Sequence, residues 1–175
     1  LTLLGILGEV GALNVDNRVQ LGVERRRTLK CLSCNNFRWH KTETELFFDA
    51  SLEGEDDKRT LQEILNHEEV IHTEVDCEKC KKKRQPCQSK EYLTNGREYV
   101  IVHVKRFHRN LETNSFIKNK NNVNFLEEMS LKTTTTGLLE EELQYELLSF
   151  SEHIGRSLEH GHYVLYLKKD GKWYE

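Results

Sequence analysis

No run of apolar residues in this 175-residue chain approaches the roughly 18 that a helix needs to span a bilayer. The stretch from Leu1 to Leu13 is apolar, but it lacks the cationic start and unbroken core of a secretory signal. Basic charge is not in excess either. A formal charge of −3, with 31% charged residues, creates no overall field for a nucleic acid or an anionic membrane. Neither is expected as a partner, and an intracellular setting in cytoplasm or nucleus is. Methionine occurs once, as Met129, and the first residue is Leu1, so the chain is expected to be a portion of a longer one. Its length fits one domain or a piece of a larger one, and no internal repeat is present.

Cysteine is scarce but concentrated. Four of the five cysteines form two pairs of identical spacing, Cys31-Leu32-Ser33-Cys34 and Cys77-Glu78-Lys79-Cys80. Two residues between paired cysteines let one tight turn aim both thiolates inward, and two such turns supply the four soft donors of a tetrahedral structural zinc ion. The 42 residues between Cys34 and Cys77 exceed the roughly 15 to 20 of a compact zinc ribbon, so a structured excursion must separate the pairs. The alternative is two unrelated pairs of buried or free thiols. Disulfides are the weaker rival, because a chain without a secretory signal meets reducing conditions.

Local pattern places several elements. Arg59 to His67 puts Leu61, Ile64 and Leu65 on one face of a short helix, capped by Thr60 or Asp57. Glu43 to Leu52 reads as a strand ending in the acidic loop Glu53 to Asp57. Tyr99 to Phe107 is the clearest strand, with Val100, Val102 and Val104 on one face. Gly161 to Lys168 is another, and Lys169-Asp170-Gly171 turns it into Lys172-Trp173-Tyr174 as a hairpin that Trp173 anchors. Leu138 to Phe150 fits an amphipathic helix through Leu139, Leu143 and Leu147, or a strand from Tyr145 onward. Thr133 to Thr136 suits a strand end or a loop.

A second constellation lies near the last hairpin: His153-Ile154-Gly155, then Gly161-His162-Tyr163, then Trp173. A histidine where a strand leaves a glycine-bearing loop faces a cleft yet is held by the sheet, which suits a general base. Gly161 would let a substrate backbone approach closely. Taken alone, such a histidine in a β protein is more often structural. His160 beside His162 lacks a nearby acidic ligand and does not make a second metal site. Lys81, Lys82, Lys83 and Arg84, like Arg25-Arg26-Arg27, read as solvated basic edges.

In order along the chain stand Cys31 and Cys34, then Cys77 and Cys80 followed by Lys81-Lys82-Lys83, then His103-Val104-Lys105-Arg106-Phe107. Tyr145-Glu146-Leu147, His153-Ile154-Gly155, Gly161-His162-Tyr163 and Lys172-Trp173-Tyr174 follow. This succession resembles the ubiquitin-specific protease family of cysteine deubiquitinases. The resemblance implies an α+β, papain-like fold that is mostly antiparallel β here, with zinc-bearing fingers over about residues 28–100 and palm strands over about 100–175. It implies Zn2+ as a structural cofactor on Cys31, Cys34, Cys77 and Cys80, and ubiquitin and ubiquitinated proteins as partners. It makes His162 the catalytic base, with Gly161 and Tyr163 lining the channel for the glycine-rich tail of ubiquitin and His153 beside it. The implied reaction is hydrolysis of the isopeptide or peptide bond at the C-terminal glycine of ubiquitin through an acyl-enzyme on cysteine.

The departures matter equally. The family's nucleophile sits in an N-terminal box with asparagine, glycine and threonine before the cysteine, and no such box occurs here. Cys87, in Gln85-Pro86-Cys87-Gln88, is read as an ordinary thiol near the finger tip. The third triad member, an Asp or Asn, would follow Trp173 by about four positions in the resembled family, beyond Glu175. The chain by itself is therefore expected to be inactive. Glu98 stands where the family often has proline, and Val104 replaces a leucine; a strand tolerates both. A non-catalytic ubiquitin-binding scaffold of the same fold is the alternative. A zinc-ribbon nucleic-acid binder finds no support in the charge.

Overall fold

Val100, Val102 and Val104 are almost wholly buried, and they alternate with Ile101, His103 and Lys105, which turn to the opposite face. That alternation builds strand β7, Tyr99–Lys105, and burying each valine contributes about 1.5 to 3 kcal/mol. The computed structural model describes residues 3–9, 21–52, 57–110, 112–155 and 160–175. β7 lies in a seven-stranded sheet between β1, Leu3–Glu9, which runs antiparallel to it, and β4, Phe47–Ser51, which runs parallel. On its other edge β1 pairs with β11, Glu141–Ile154. β11 is long enough to hold two partners in tandem: β10, Glu128–Thr133, along its first half and β12, His162–Lys169, along its second. β13, Lys172–Tyr174, closes the hairpin on β12.

One face of this sheet carries the main core, where Phe48, Ala50, the three valines, Met129, Leu131, Tyr145 and Leu147 meet Leu61, Ile64 and Leu65 of the short helix α1, Leu61–Leu65. Thr60 starts α1 with a capping box: its hydroxyl accepts from the Glu63 amide, and the Glu63 carboxylate accepts from the Thr60 amide. α1 also covers the exposed edge of β10. Gln62 accepts from the Ser130 amide at 2.7 Å, and Asn66 accepts from the Lys132 amide at 3.0 Å. The Gln62 and Asn66 amides both donate to the Ser130 carbonyl. Side chains thus stand in for a missing strand.

A separate four-stranded sheet has the order β3-β2-β6-β5, all antiparallel. Its members are β2, Val23–Cys31; β3, Phe37–Glu45; β5, Val70–Cys77; and β6, Lys82–Gly96. Most residues of β3 and β5 are exposed or half-buried on both faces. A two-stranded ribbon of β8, Phe107–Arg109, and β9, Phe116–Lys118, continues from β7. Among the described residues no helix is long and apolar enough to cross a membrane.

Two expectations change. The segment Glu43 to Leu52 is not one strand: it breaks at Leu46, where the chain leaves the four-stranded sheet at Glu45 and enters the seven-stranded sheet at Phe47. The acidic loop that follows lies outside the described residues except for Asp57, whose side chain is buried and ion-paired with Arg59 at 2.7 Å. The choice over Leu138 to Phe150 resolves to strand. Leu139, one of the three leucines of the helical stripe, is 77% exposed, while Tyr145 and Leu147 bury at a spacing of two. The final hairpin has the expected form, with Asp170 and Gly171 both left-handed at φ 50 and 70.

Candidate metal centre and active-site strand

The two cysteine pairs converge at the far end of the four-stranded sheet. Cys31 ends β2, Cys77 ends β5, and each begins a tight turn that brings Cys34 or Cys80 back beside it. Both turns leave the second cysteine through a left-handed residue, Asn35 at φ 56 and Lys81 at φ 54. Asparagine takes this conformation readily, whereas lysine pays for it in backbone strain. The sulfurs of Cys31 and Cys80 are 3.9 Å apart and those of Cys34 and Cys77 are 3.7 Å apart, and all four lie within 4.8 Å of one another. A zinc–sulfur bond of about 2.3 Å gives a tetrahedral S–S edge of about 3.8 Å, so the set fits that ion, and it is too wide for disulfides of about 2.05 Å.

The electrostatics of the four thiols also suit a dication. Burial opposes ionisation of Cys31, but the backbone amides of Cys34 and Ser33 bring its thiol down to about 6. Cys80 is pushed up to about 12, first by its hydrogen bond with Cys34, then by burial and by the other two thiols. A first thiolate is stabilised and a second repelled, a conflict that a bound cation removes. Four thiolates with Zn2+ carry a formal charge of about −2. Lys81, Lys82, Lys83 and Arg84 are all exposed at this tip and would offset that charge. Cys87 pairs in register with Cys31 and is 2% exposed; burial, then the neighbouring Cys31, raises its thiol. It underlies the cluster and presents no reactive sulfur to solvent.

The histidine constellation sits on the other sheet. His162 is the first residue of β12, pairs with Ile154, and is exposed. Its strand is held at both ends. At the far end Trp173 Nε1 donates to Glu127 at 3.0 Å, and Lys168 reaches Glu127 and Glu146 at 2.6 Å each. Tyr166 stacks on Phe150 with centroids 4.6 Å apart. At the near end stands His153, only 4% exposed, with its ring 4.8 Å from that of Tyr163. Burial, together with the Lys118 ammonium, holds its imidazole below the usual histidine range.

The space beside Gly161 is occupied from within the chain. A Cβ at this position would overlap Nε2 of His153, so the space freed by the glycine is filled by that imidazole. Gly155 lies on the same ring, where a Cβ would stand 2.9 Å from Cε1. The structure therefore brings His153, Gly155, Gly161 and Tyr163 together at the start of β12, next to His162 in the chain, with the His153 ring buried among them. We predict that Gly161→Ala lowers unfolding stability by about 1 to 3 kcal/mol through overpacking. Chemical denaturation reads this directly, and an unchanged midpoint would show that the ring is free to move aside.

Two features escaped sequence reasoning. Lys118 reaches this site from β9 through a contact 35 residues away, and no local motif marks it. Asp49 and His103 face each other across the parallel pair β4–β7, with Oδ1 and Nδ1 2.9 Å apart. Burial opposes the charge on Asp49, but Lys105 and then His103 hold its carboxyl below the usual range, and Lys105 occupies its second oxygen at 2.7 Å. That carboxylate is already satisfied by structure.

Residues 20–175 match the sequence model of the family described as ubiquitin carboxyl-terminal hydrolase. The chain belongs to the ubiquitin carboxyl-terminal hydrolase family. Ubiquitin carboxyl-terminal hydrolase 4 of Arabidopsis thaliana is 26% identical over 148 residues, covering 82% of this chain and 39% of its own length. Ubiquitin carboxyl-terminal hydrolase 23 of the same plant is 29% identical over 164 residues, 87% of this chain and 18% of that protein. Ubiquitin carboxyl-terminal hydrolase 10 of Saccharomyces cerevisiae is 36% identical over 98 residues, 55% and 12% of the two lengths. This family member thus spans less than two fifths of those relatives.

Among solved structures, the SAGA DUB module of Ubp8, Sgf11, Sus1 and Sgf73 bound to monoubiquitin superimposes with a TM-score of 0.70 at 20% identity, over 87% of this chain and 34% of the matched one. The same module bound to ubiquitin aldehyde gives 0.70 at 18%, over 92% and 38%. The shared path establishes the fold as that of the ubiquitin-specific proteases, papain-like and here mostly antiparallel strands.

Proposed function

We propose that this chain supplies the fingers and palm of a deubiquitinating cysteine protease, with zinc as a structural clamp and His162 as the general base. The observation that carries the reading is the family match across residues 20–175, which includes both cysteine pairs and the histidine strand. The fingers then correspond to the four-stranded sheet and the palm to the seven-stranded one. Cys31, Cys34, Cys77 and Cys80 would hold Zn2+, whose contribution is to fix the finger tip, remote in sequence from the reacting bond. Ubiquitin and ubiquitinated proteins are the proposed partners.

In this reading His162 takes the proton of a cysteine thiol, and the thiolate attacks the carbonyl of the C-terminal glycine of ubiquitin. His162 then protonates the departing lysine amine, and water, deprotonated by the same imidazole, hydrolyses the thioester. Exposure at the start of a strand clamped at both ends suits this shuttle. Tyr163, half-exposed beside it, and the backbone at Gly161 border the path for the ubiquitin tail. All five cysteines lie in the fingers, four as metal ligands and Cys87 beneath them, so the attacking thiol must come from outside these 175 residues, and the chain alone is inactive. The same fact favours, as a second reading, a ubiquitin-binding scaffold without catalysis.

The test is titration of the 15N-labelled chain with ubiquitin. Saturable shifts are expected in amides of the four-stranded sheet and at Gly161 to Tyr163. Absence of any shift at millimolar ubiquitin would overturn both readings. Labelling of the full-length protein by a ubiquitin-based electrophile separates them, since only the protease reacts.

A further inference from the structure

Lys118 ends β9 and turns its ammonium into the site of His153. Nζ donates to the carbonyl of His153 at 2.9 Å and to that of Gly155 at 2.8 Å, and it lies 3.4 Å from Nδ1 of His153. A lysine ammonium has three donors and no acceptor, so these three partners use all it offers. A donor facing Nδ1 leaves the ring proton on Nε2 and the imidazole neutral. The ring is buried, tilted against Phe107 at 6.3 Å and Tyr163 at 4.8 Å, and occupies the places where side chains on Gly155 and Gly161 would stand.

We propose that Lys118 and His153 form a positioning device for His162: the ammonium fixes the imidazole, and the imidazole fixes the backbone of Gly161, one residue before the base. The proposal rests on the reading of His162 given above. His153 touches no reacting atom in it. Its ring fills the gap between two glycine backbones, and two carbonyls, at His153 and Gly155, tie the end of β11 to the β8–β9 ribbon through a single cation. Replacing those carbonyl contacts by water would loosen the end of β11 against which Gly161 packs. Arg106, Glu152 and Lys120 are the other charged groups near Lys118, and burial, followed by the Arg106 charge, depresses the lysine itself. A second charge on His153 would be repelled by Lys118, so the neutral ring is the form that fits.

A turn anchor with no link to the base would have the same contacts, and the test separates the two. In the 15N-labelled chain, long-range correlations of the histidine rings are recorded for the native protein, Lys118→Met and Lys118→Arg. The native spectrum should show His153 neutral, with its proton on Nε2, from pH 6 to 8. Lys118→Met should shift or split the resonances of the Gly161 amide and the His162 ring while the Val102 and Leu131 amides stay in place. Lys118→Arg, whose guanidinium still offers donors to both carbonyls, should restore a single set near the native positions.

Gly161 and His162 signals unmoved in Lys118→Met, whatever the melting temperature, would overturn the proposal. Should that variant not fold, Lys118→Gln, which loses the charge and cannot reach all three partners, is recorded instead: displaced Gly161 and His162 signals uphold the device, unmoved ones refute it. In the full-length protein Lys118→Met is expected to lower kcat by about 100-fold with KM nearly constant, the penalty of a misplaced catalytic group. If turnover instead ignores the loss of His162 itself, the base assignment fails while the Gly161 spectrum still judges the device.

Discussion

Cys77→Ser should eliminate stoichiometric zinc and unfold the fingers while leaving the palm strands protected from hydrogen exchange. The four-stranded sheet has little else to hold its tip: its buried cluster is Leu29 with Cys31, Cys77 and Cys87, and the outer strands β3 and β5 are open to solvent on both faces. A structural zinc contributes about 10 to 16 kcal/mol of apparent binding free energy in small domains, far more than so small a cluster can supply by apolar burial. Metal analysis should fall from about one zinc per chain to nearly none. Amides of residues 70–96 should then exchange at rates close to those of an open chain, and a strong chelator should reproduce the effect in the native protein. Cys87→Ser is the control. It should keep the metal and cost about 1 to 3 kcal/mol for placing a hydroxyl in an apolar site. If Cys77→Ser retains one tightly bound zinc and protected fingers, the quartet is not the clamp described here.

His162→Ala in the full-length protein should reduce kcat/KM for ubiquitin conjugates by about 10^4-fold or more, as expected when the base of a nucleophile–base pair is removed. Affinity for ubiquitin should be nearly unchanged, because His162 is exposed at the end of its strand and carries none of the packing that holds β12. Tyr166 on Phe150 and the contacts of Lys168 and Trp173 with Glu127 remain in the variant. Measuring kcat/KM with a fluorogenic ubiquitin amide, alongside ubiquitin binding by calorimetry, separates chemistry from recognition. A loss smaller than tenfold would remove His162 from the mechanism.

The parts of the fold legible in the sequence are those with a single buried face. β7 alternates because one side meets the core and the other does not, and α1 announces itself through Thr60, Glu63 and a three-residue apolar face. The last hairpin shows its turn chemistry at Asp170-Gly171. The finger strands carry no such signal, since β3 and β5 bury too little on either side to impose a period of two. β11 misleads for a different reason. Its register to β1 shifts between the residues paired with Ile6 and Leu7, so Leu147 and then Phe150 face the main core, and no single period describes the strand. β1 itself is interrupted by Gly5 and Gly8 and gives no alternation.

The candidate sites divide along the same line. The metal quartet is legible because each half is a local turn with fixed spacing, and only the distance between halves needs the fold. His162 is visible through its neighbours Gly161 and Tyr163. The burial of His153 is not, because it depends on two glycines and on a lysine from a separate two-stranded ribbon.

β1 hydrogen-bonds to β7 on one side and to β11 on the other, so it is an interior strand whose partners are made long after it. Leu3 pairs with Glu152, and at about 5 to 20 residues per second a ribosome reaches that glutamate roughly 7 to 30 s after the leucine. The edge that meets β7 can close once Tyr99–Lys105 is made, but the edge that meets β11 stays open until then, and every route to the native sheet must close loops of about 90 residues or more. Maturation in a cell is thus paced by translation of the second half of the chain, and a ribosome stalled before Glu141 leaves a strand that seeks another edge to join.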